Sequence, residues 1–416
     1  MPKTSCTTGA ASLLAALCMA VPAHAAWIAS WTAAPVQPSA QMGPIPAAAS
    51  FTNRTLRQIL RLSAGGSALR IRLTNAYGGA ALPIGGARIA LIDANGQEVA
   101  GSSRTLTFGG ASTAVASKGA PLISDPVALK TPPLARVAVS LYVPGDTGPC
   151  SCHPLGLDDT EISPPGDFTA KPFKPESVIA SRAFLASVEV EAARGAATVA
   201  VMGDSISDGT GSTAKANRRW PDFLAERLAR RGGRTWGVAN QGIGGNRVLA
   251  GFEGVGESAL TRLDRDVLAV PGVKVLILFE GVNDLGLSFL HLEGPMAQAI
   301  AAMPDRKTSS AQMIAGYRQI IERAHLQGIK VYGATIAPYK GAGYWTPEGE
   351  AARQDINRFI RTSGAFDAVL DFDKVLADPA DPIAMRADYQ MGDHLHGNDA
   401  GYKALADSID LSLFPR

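Results

Sequence analysis

The chain has 416 residues, which is more than one hydrophobic core usually serves, so we expect two domains. Its content of 46% apolar and 18% charged residues is that of an ordinary globular protein. The formal net charge of +2 is close to balance and no basic stripe is present, which argues against a nucleic acid partner.

The N-terminal residues have the pattern of an export signal. Lys3 supplies a positive charge, a short apolar run follows, and the small residues of "AHA" at 23–25 fit a cleavage site. We therefore predict a signal peptide over 1–25 and a secreted or periplasmic mature chain that begins near Ala26. The alternative is a cytosolic protein with an apolar N-terminus. No stretch is long enough to span a bilayer, so we expect no transmembrane segment.

Loss of the signal peptide leaves two cysteines, Cys150 and Cys152. In an exported protein a disulfide between them is plausible, and two free thiols are equally open. Together with His153 the pair could contribute to a metal site, but no further ligand cluster is visible. We therefore expect no metal here. A structural role is the preferred interpretation of His153, and the alternative is that it lines the cleft from the other domain.

Residues 26–190 have the pattern of an all-β domain. Strict alternation of apolar and polar residues predicts strands at 69–75 and 136–143, and similar runs occur at 87–92 and 104–108. Glycine and proline clusters separate these runs, and no amphipathic helix of useful length stands out. The simplest interpretation is a β-sandwich or jelly-roll-like domain.

From residue 196 onwards apolar strands alternate with helical patterns. The predicted strands are 197–203, 235–240, 273–281, 329–338 and 366–372, and the predicted helices are 220–233, 256–269, 309–328, 346–364 and 398–410. Ser310 and Thr346 are candidate helix caps. Five strand–helix units predict an α/β domain over 196–416, with a doubly wound, flavodoxin-like parallel sheet of five strands.

Polar residues follow the first three strands of this α/β domain at the point where each strand ends. Asp204 and Ser205 come after the first strand, Asn240 after the second, and Asn283 and Asp284 after the third. In open parallel sheets, ligands bind beyond the carboxyl ends of the strands. The sequence therefore predicts a functional site at that edge of the sheet.

Ser205 is the candidate nucleophile of this site, although a helix cap or an ordinary polar loop is the simpler alternative. A serine hydroxyl needs a base, which is usually histidine. His396 is the preferred base, because Asp393 lies three residues earlier and can accept its Nδ1 proton within one short turn. His394 is adjacent to Asp393 and reaches that geometry less easily. Ser207 is the alternative nucleophile.

An acyl-transfer site also needs N–H donors for the oxyanion that forms on the substrate. The glycine-rich turn "NQGIGGNR" at 240–247 offers backbone N–H groups, including those of Gly242 and Gly244. The side-chain amide of Asn283 and the backbone N–H of Ser205 are further candidates.

The blocks "GDSISDG", "NQGIGGN", "GVND" and "DHLH" resemble, in order and spacing, the four sequence blocks of the SGNH or GDSL hydrolases. The resemblance covers about 196–410. It implies Ser205 as nucleophile, His396 as base, Asp393 as its orienting partner, and Gly245 and Asn283 as oxyanion donors beside the Ser205 N–H.

Longer phrases resemble a bacterial arylesterase/acylhydrolase subgroup that has an N-terminal β domain. These phrases are "DRDVLAVPGVKVLILFEGVNDLG", "GDHLHGNDAGY" and, in the β domain, "LRIRLTNAYGG". Gly397 departs from the pattern, since relatives commonly have proline there. Asp204 and Asp284 are expected to support their turns. Tyr344 and Trp345 could form a substrate platform or a loop cover.

The function that these patterns imply is a secreted serine esterase without a metal or organic cofactor. The expected partner is a small-molecule or polysaccharide ester, and export with a β domain favours acylated carbohydrates by analogy. Short-chain or aryl esters are equally compatible with the residues. The alternatives are a glycan-binding protein with an inactive hydrolase domain, a lipase or lysophospholipase-type acylhydrolase, and an enzyme that transfers the acyl group to an alcohol.

Overall fold

A computed structural model describes residues 25–40, 47–290 and 305–416. Apart from Ala25, the predicted signal peptide lies outside the described residues. Within the described ranges, no helix combines the length and the apolar character needed to cross a membrane.

The N-terminal part consists of β-strands. They are β1 (Ala26–Thr32), β2 (Arg54–Arg61), β3 (Gly66–Thr74), β4 (Leu82–Ile84), β5 (Gly86–Ile92), β6 (Arg104–Thr105), β7 (Ala114–Ala116), β8 (Pro121–Ile123), β9 (Val127–Thr131), β10 (Arg136–Val143), β11 (Cys152–His153), β12 (Thr160–Ile162), β13 (Ser177–Ile179), β14 (Arg182–Ala183) and β15 (Leu185–Ala192).

Most of these strands belong to two antiparallel sheets. One has the order β1-β15-β3-β8, with β9 also paired to β3, and the other has the order β13-β12-β2-β10-β5-β6. Apolar side chains from both sheets form one buried cluster. The prediction of an N-terminal all-β region is therefore confirmed.

One predicted strand, 104–108, is shorter in the structure. Strand β6 ends at Thr105, and the chain then enters a turn in which the N–H of Phe108 donates to the carbonyl oxygen of Ala111 at 2.8 Å. Gly109 and Gly110 supply the positive φ values of this turn.

The C-terminal part alternates strands and helices. The strands are β16 (Ala197–Gly203), β17 (Trp236–Gly242), β18 (Val273–Phe279), β19 (Lys330–Ala334) and β20 (Ala368–Leu370). The helices are α1 (Ser205–Asp208), α2 (Trp220–Arg231), α3 (Ala259–Leu263), α4 (Val282–Phe289), α5 (Ser310–Leu326), α6 (Pro347–Thr362), α7 (Phe372–Leu376) and α8 (Asp399–Ser408). A π-helical turn (Asp264–Leu268) and two 3-10 turns (Ala387–Tyr389 and Leu411–Leu413) complete the elements described here.

These strands form a parallel five-stranded sheet in the order β17-β16-β18-β19-β20. The chain therefore moves to one side of β16 and then to the other, which is the flavodoxin-like order 2-1-3-4-5. Helix α8 contacts α2 and α7, whereas α5 contacts α3 and α6, so the helices form two groups. The prediction of a doubly wound α/β fold is confirmed.

The boundaries of two predicted helices differ from the structure. Ser309 rather than Ser310 caps α5, because its hydroxyl accepts a hydrogen bond from the N–H of Gln312 at 3.2 Å. The Gln312 side chain accepts in return from the Ser309 N–H, which completes a capping box. The helix predicted over 256–269 consists only of α3 and the π-helical turn.

The two parts meet where β1 lies against β17. The N–H of Ala29 donates to Thr198 Oγ1 at 3.1 Å, and Thr32 Oγ1 donates to the carbonyl oxygen of Asn240 at 2.8 Å. Each part has its own hydrophobic cluster, which supports a division into domains over 26–190 and 196–416. That division stays a prediction.

Gly237 in β17 is a critical point of this junction. A Cβ atom at this position would lie 2.0 Å from the carbonyl oxygen of Ala29, a backbone atom that cannot rotate away. We expect Gly237→Ala to lower the free energy of unfolding by about 1–3 kcal/mol or more, because the strands must separate. Chemical denaturation measures this change. Gly79→Ala is the matched control, since no heavy atom lies within 4 Å of its added Cβ. Equal midpoints for the two variants would contradict the prediction.

Candidate active site

Ser205 is the first residue of α1, a single turn that directly follows the central strand β16. The carboxylate of Asp204 caps this turn by accepting a hydrogen bond from the N–H of Ile206 at 2.9 Å. Gly209 ends the turn with φ at 106°, a conformation that favours glycine. Asp204 and Gly209 thus bound the turn that holds Ser205 at the carboxyl end of the sheet.

Three side chains predicted from the sequence lie within hydrogen-bond distance of one another. Ser205 Oγ lies 2.8 Å from His396 Nε2, and His396 Nδ1 lies 2.6 Å from Asp393 Oδ2. The other carboxylate oxygen, Asp393 Oδ1, accepts the backbone N–H of His396 at 2.9 Å. The Asp–x–x–His segment therefore closes into a short turn that fixes the imidazole orientation. The catalytic roles of these residues stay predictions.

The surroundings of Asp393 favour its ionised form, which can accept a hydrogen bond from His396 Nδ1. Burial alone raises the pKa of its carboxyl group, but hydrogen bonds from the backbone and ring of His396 and from the N–H of Leu395 outweigh burial. The net effect lowers the pKa of Asp393 below its usual value. A carboxylate at this position requires a proton on His396 Nδ1, which leaves Nε2 able to accept the Ser205 hydroxyl proton.

The two alternative residues have other partners. The ring of His394 lies 3.2 Å from Gln390 Nε2. Ser207 is completely buried, and its hydroxyl accepts a hydrogen bond from Trp220 Nε1 at 3.3 Å. The geometry therefore favours His396 as the base and Ser205 as the nucleophile.

The glycine-rich turn after β17 presents three backbone N–H groups. Gly242 donates to Asn240 Oδ1 at 3.0 Å, and Gly244 donates to Asp208 Oδ2 at 3.1 Å. Among the described residues, the N–H of Gly245 has no hydrogen-bond partner. Of these three glycines, Gly245 is therefore the one whose N–H is available to a substrate oxygen.

Asn283 lies in the first turn of α4, and its amide is held from two directions. Its Nδ2 donates to the carbonyl oxygen of Asn246 at 3.0 Å, and its Oδ1 accepts from the Tyr344 hydroxyl at 3.3 Å. One Nδ2–H remains for another acceptor. Tyr344 and Trp345 both pack against the hydrophobic core, so the structure favours the loop-cover interpretation of this pair.

Asp204 and Asp284 lie buried behind the site. Burial raises the pKa of Asp204 to about 7 and that of Asp284 to about 6. Asp284 Oδ2 accepts the N–H of Val248 at 2.8 Å, and this bond connects the third strand end to the turn after the second. This bond is of the kind expected for a residue that supports the turns around the site.

Sequence reasoning missed Arg262, which is fully buried on α3. Its guanidinium donates to the carbonyl oxygens of Gly203 at 3.1 Å and Gln241 at 2.6 Å and to Asn246 Oδ1 at 2.9 Å. It thereby connects the ends of β16 and β17. An arginine within a weak helical pattern is usually exposed, so the sequence carried no signal for this role.

Glu280, between β18 and α4, was also missed. The structure shows no hydrogen-bond partner for either carboxylate oxygen within its described part, and Arg262 Nη2 is 3.9 Å away. Burial, together with the nearby charges of Asp204 and Asp284, raises the pKa of Glu280 well above its usual value. A signal was available, because a single acidic residue ends the otherwise apolar run "VLILFEG".

His153 is buried in the N-terminal part and reaches the site from there. Its Nε2 lies 2.9 Å from Asp208 Oδ1 on α1. Cys150 and Cys152, directly before it, form a disulfide. Within the described ranges, no three side chains of His, Cys, Asp or Glu converge as a metal-binding cluster.

A comparison with known protein families identifies the family of the C-terminal part. Residues 201–404 match the sequence model of the GDSL-like lipase/acylhydrolase family. This segment of the chain is therefore a domain of the GDSL-like lipase/acylhydrolase family. No curated protein matches the chain.

Three solved structures are similar to about half of this chain. The acetyl xylan esterase AlAXEase is 21% identical and matches over 51% of this chain and 96% of its own, with a TM-score of 0.37. The lipase/acylhydrolase from Enterococcus faecalis is 19% identical over 51% and 92% of the two chains, with a TM-score of 0.36. A GDSL-like lipase from Bacteroides thetaiotaomicron VPI-5482 is 16% identical over 52% and 87%, also with a TM-score of 0.36. Similarities at this level carry no conclusion about the substrate.

The raised pKa of Glu280 predicts a pH dependence of stability. Above the ordinary value of 4.5 the unfolded chain releases this proton while the folded protein keeps it, so stability falls as pH rises towards the folded pKa. Glu280→Gln removes the titration. We expect the free energy of unfolding of the variant to rise relative to that of the wild type between pH 5 and pH 7, by at most about 1.4 kcal/mol per pH unit. Denaturant titrations at both pH values measure this gain, and a difference that does not change with pH would contradict it.

Proposed function

We propose that this protein is an exported serine esterase that hydrolyses carboxylic esters through an acyl-enzyme intermediate. The observation that carries the proposal is the continuous hydrogen-bonded chain from Ser205 Oγ through His396 to Asp393. Membership of residues 201–404 in an acylhydrolase family supports the same reaction class.

In the first half of the reaction, Ser205 Oγ attacks the ester carbonyl carbon while His396 Nε2 takes the hydroxyl proton. Asp393 stabilises the imidazolium that forms. The N–H groups of Ser205 and Gly245 and the amide of Asn283 donate to the developing oxyanion. His396 then gives the proton to the leaving alcohol, and the acyl group stays on Ser205.

In the second half, water replaces the alcohol. His396 Nε2 takes a proton from water as the water oxygen attacks the acyl carbon, and the proton passes to Ser205 Oγ when the carboxylic acid leaves. The residues of this chain supply the nucleophile, the base and the oxyanion donors for both halves.

The substrates that we propose are acylated carbohydrates or short-chain and aryl esters. The outer edge of the site is accessible, since 39% of the Asp393 side chain and 16% of the His396 side chain are exposed. An accessible edge suits an acyl group carried on a bulky or polymeric alcohol. Export rests on the predicted signal peptide, and the disulfide between Cys150 and Cys152 is compatible with an oxidising compartment.

Ser205→Ala is expected to lower kcat for a short p-nitrophenyl ester by at least about 10³-fold, because the variant lacks the nucleophile. The melting temperature should change little. Ser207→Ala is the matched control, since this neighbouring serine is the alternative nucleophile, and we expect it to keep most of the activity. Hydrolysis retained by Ser205→Ala, or lost only in Ser207→Ala, would overturn the assignment.

Asn283→Ala tests the oxyanion donors separately. Loss of one such donor is expected to lower kcat by about 10²- to 10³-fold, with a small change in KM, because the donor acts on the charge of the transition state. Steady-state kinetics on the same ester measure both constants. A variant that raises KM while kcat stays unchanged would assign Asn283 to substrate binding.

A panel of esters tests the substrate class. Acetylated xylan, an aryl acetate, triacetin and a lysophospholipid distinguish a carbohydrate esterase from a lipase or lysophospholipase. An added alcohol acceptor reveals transfer of the acyl group in place of hydrolysis. Binding of xylan without turnover of any ester would instead favour a glycan-binding protein.

A further inference from the structure

The N-terminal part contributes a side chain to the environment of Ser205. His153 lies in β11, which pairs with β14, and 5% of its surface is exposed. Its imidazole extends from this strand to α1, the turn that begins with Ser205. Asp208, at the end of α1, is its partner there.

Both ring nitrogens of His153 face acceptors. Nδ1 lies 3.0 Å from the carbonyl oxygen of Ala34, and Nε2 lies 2.9 Å from Asp208 Oδ1 and 3.2 Å from the carbonyl oxygen of Leu155. Carbonyl oxygens can only accept, so each nitrogen must carry a proton. The bonding pattern therefore corresponds to the imidazolium form.

The charge environment favours this form. Burial by itself lowers the pKa of His153. The negative charge and hydrogen bond of Asp208, together with the hydrogen bond to Ala34, outweigh burial and the opposing charge of Arg219, so the pKa is raised. Asp208 is only 2% exposed. A carboxylate buried this deeply needs a cation or several donors nearby, and His153 supplies both charge and donor.

Asp208 also holds the glycine-rich turn. Its Oδ2 accepts the N–H of Gly244 at 3.1 Å, while its Oδ1 contacts His153. Gly244 directly precedes Gly245, the proposed oxyanion donor. A single carboxylate thus connects the turn that carries the nucleophile to the turn that carries a donor for the oxyanion.

We infer that His153 is a positioning residue, which holds Asp208 so that Ser205 and the N–H of Gly245 keep the relative placement that acyl transfer requires. The inference rests on the proposed esterase function. It makes the N-terminal β-rich part a component of the active site, because the catalytic residues are aligned by a side chain from outside the parallel sheet.

Two isosteric variants of the full-length protein separate this role from a purely structural one. In His153→Gln, the terminal amide can still reach Asp208, as Nε2 does. In His153→Asn, the shorter amide can replace the bond from Nδ1 to Ala34 but cannot reach Asp208. If His153 only anchors its own strand, the bond to Ala34 matters and His153→Asn should be tolerated. If His153 positions Asp208, the bond to Asp208 matters and His153→Gln should be tolerated better.

We expect His153→Asn to lower kcat for p-nitrophenyl acetate by about 10- to 100-fold with little change in KM, because a displacement of about 1 Å at a reacting group has effects of this size. His153→Gln should retain more activity than His153→Asn. The rate at which a fluorophosphonate labels Ser205 should fall in the same order.

Ser63→Ala is the matched control. Ser63 Oγ accepts the N–H of Val238 at 2.8 Å, so it also connects the N-terminal part to the sheet, but in the middle of β17. We expect kcat within about twofold of the wild type for this variant, because no bond to α1 is lost. The melting temperatures of the three variants are measured first, so that kcat is compared at a temperature at which each variant is folded.

A fourth variant, Asp208→Asn, provides an independent test if His153→Asn does not fold. Combined with His153→Gln, it should lower kcat by no more than the larger single effect, because the two residues act as one unit. Wild-type kcat in His153→Asn, a lower kcat in His153→Gln than in His153→Asn, or additive effects in the double variant would overturn the inference and leave the esterase function intact. A wild-type protein that hydrolyses no ester in the panel would overturn both.

Discussion

The parallel alignment of β16, β17 and β18 is the constraint on which the site depends. Gly203, at the end of β16, pairs in register with Gly242 on one side and Phe279 on the other, so three chain segments leave the sheet at one level. Each segment then enters a turn or the first turn of a helix that carries a polar group of the site. Because these turns start side by side, a nucleophile, backbone donors and an amide that are far apart in sequence can meet around one small volume. The histidine arrives from a fourth segment, before α8.

Holding three strand ends together concentrates charge in a region with little water. Arg262 is fully buried in this region and donates additional hydrogen bonds to the backbone carbonyl groups of Gly203 and Gln241 at the strand ends. Glu280 lies 3.9 Å from its guanidinium, and the Arg262 charge also acts on Asp204. Burial raises the pKa of both carboxyl groups and that of Asp284. In a region of low dielectric constant, a buried Arg262 cation costs free energy unless carboxyl groups lie nearby. The buried carboxyl groups likewise need a cation. The site is therefore supported by a buried polar network, in addition to the apolar core beneath it.

Sequence reasoning reached the fold and the residues that meet at the strand ends because both leave local patterns. Apolar runs bounded by glycine predicted β16 and β18, and the spacing of Asp393 and His396 predicted their bond. It failed where the role of a residue depends on distant neighbours. The predicted cap of α5 was wrong by one residue. Ser309 and Ser310 are adjacent serines, and only the reciprocal hydrogen bonds with Gln312 identify Ser309 as the cap. Nothing local distinguishes the buried Arg262 from an exposed arginine.

By itself, the sequence determined the class of fold, the order of strands and helices, and the short segments that carry Ser205, Gly245, Asn283 and His396, because strand and helix periodicities and turn residues are properties of neighbouring positions. The tertiary structure alone decided three features: which N–H of the glycine-rich turn lacks a partner among the described residues, which carboxyl groups are buried, and that His153 reaches α1 from the N-terminal part. These outcomes depend on hydrogen bonds and burial between residues that are separated by tens or hundreds of positions, and no periodicity along the chain encodes such contacts.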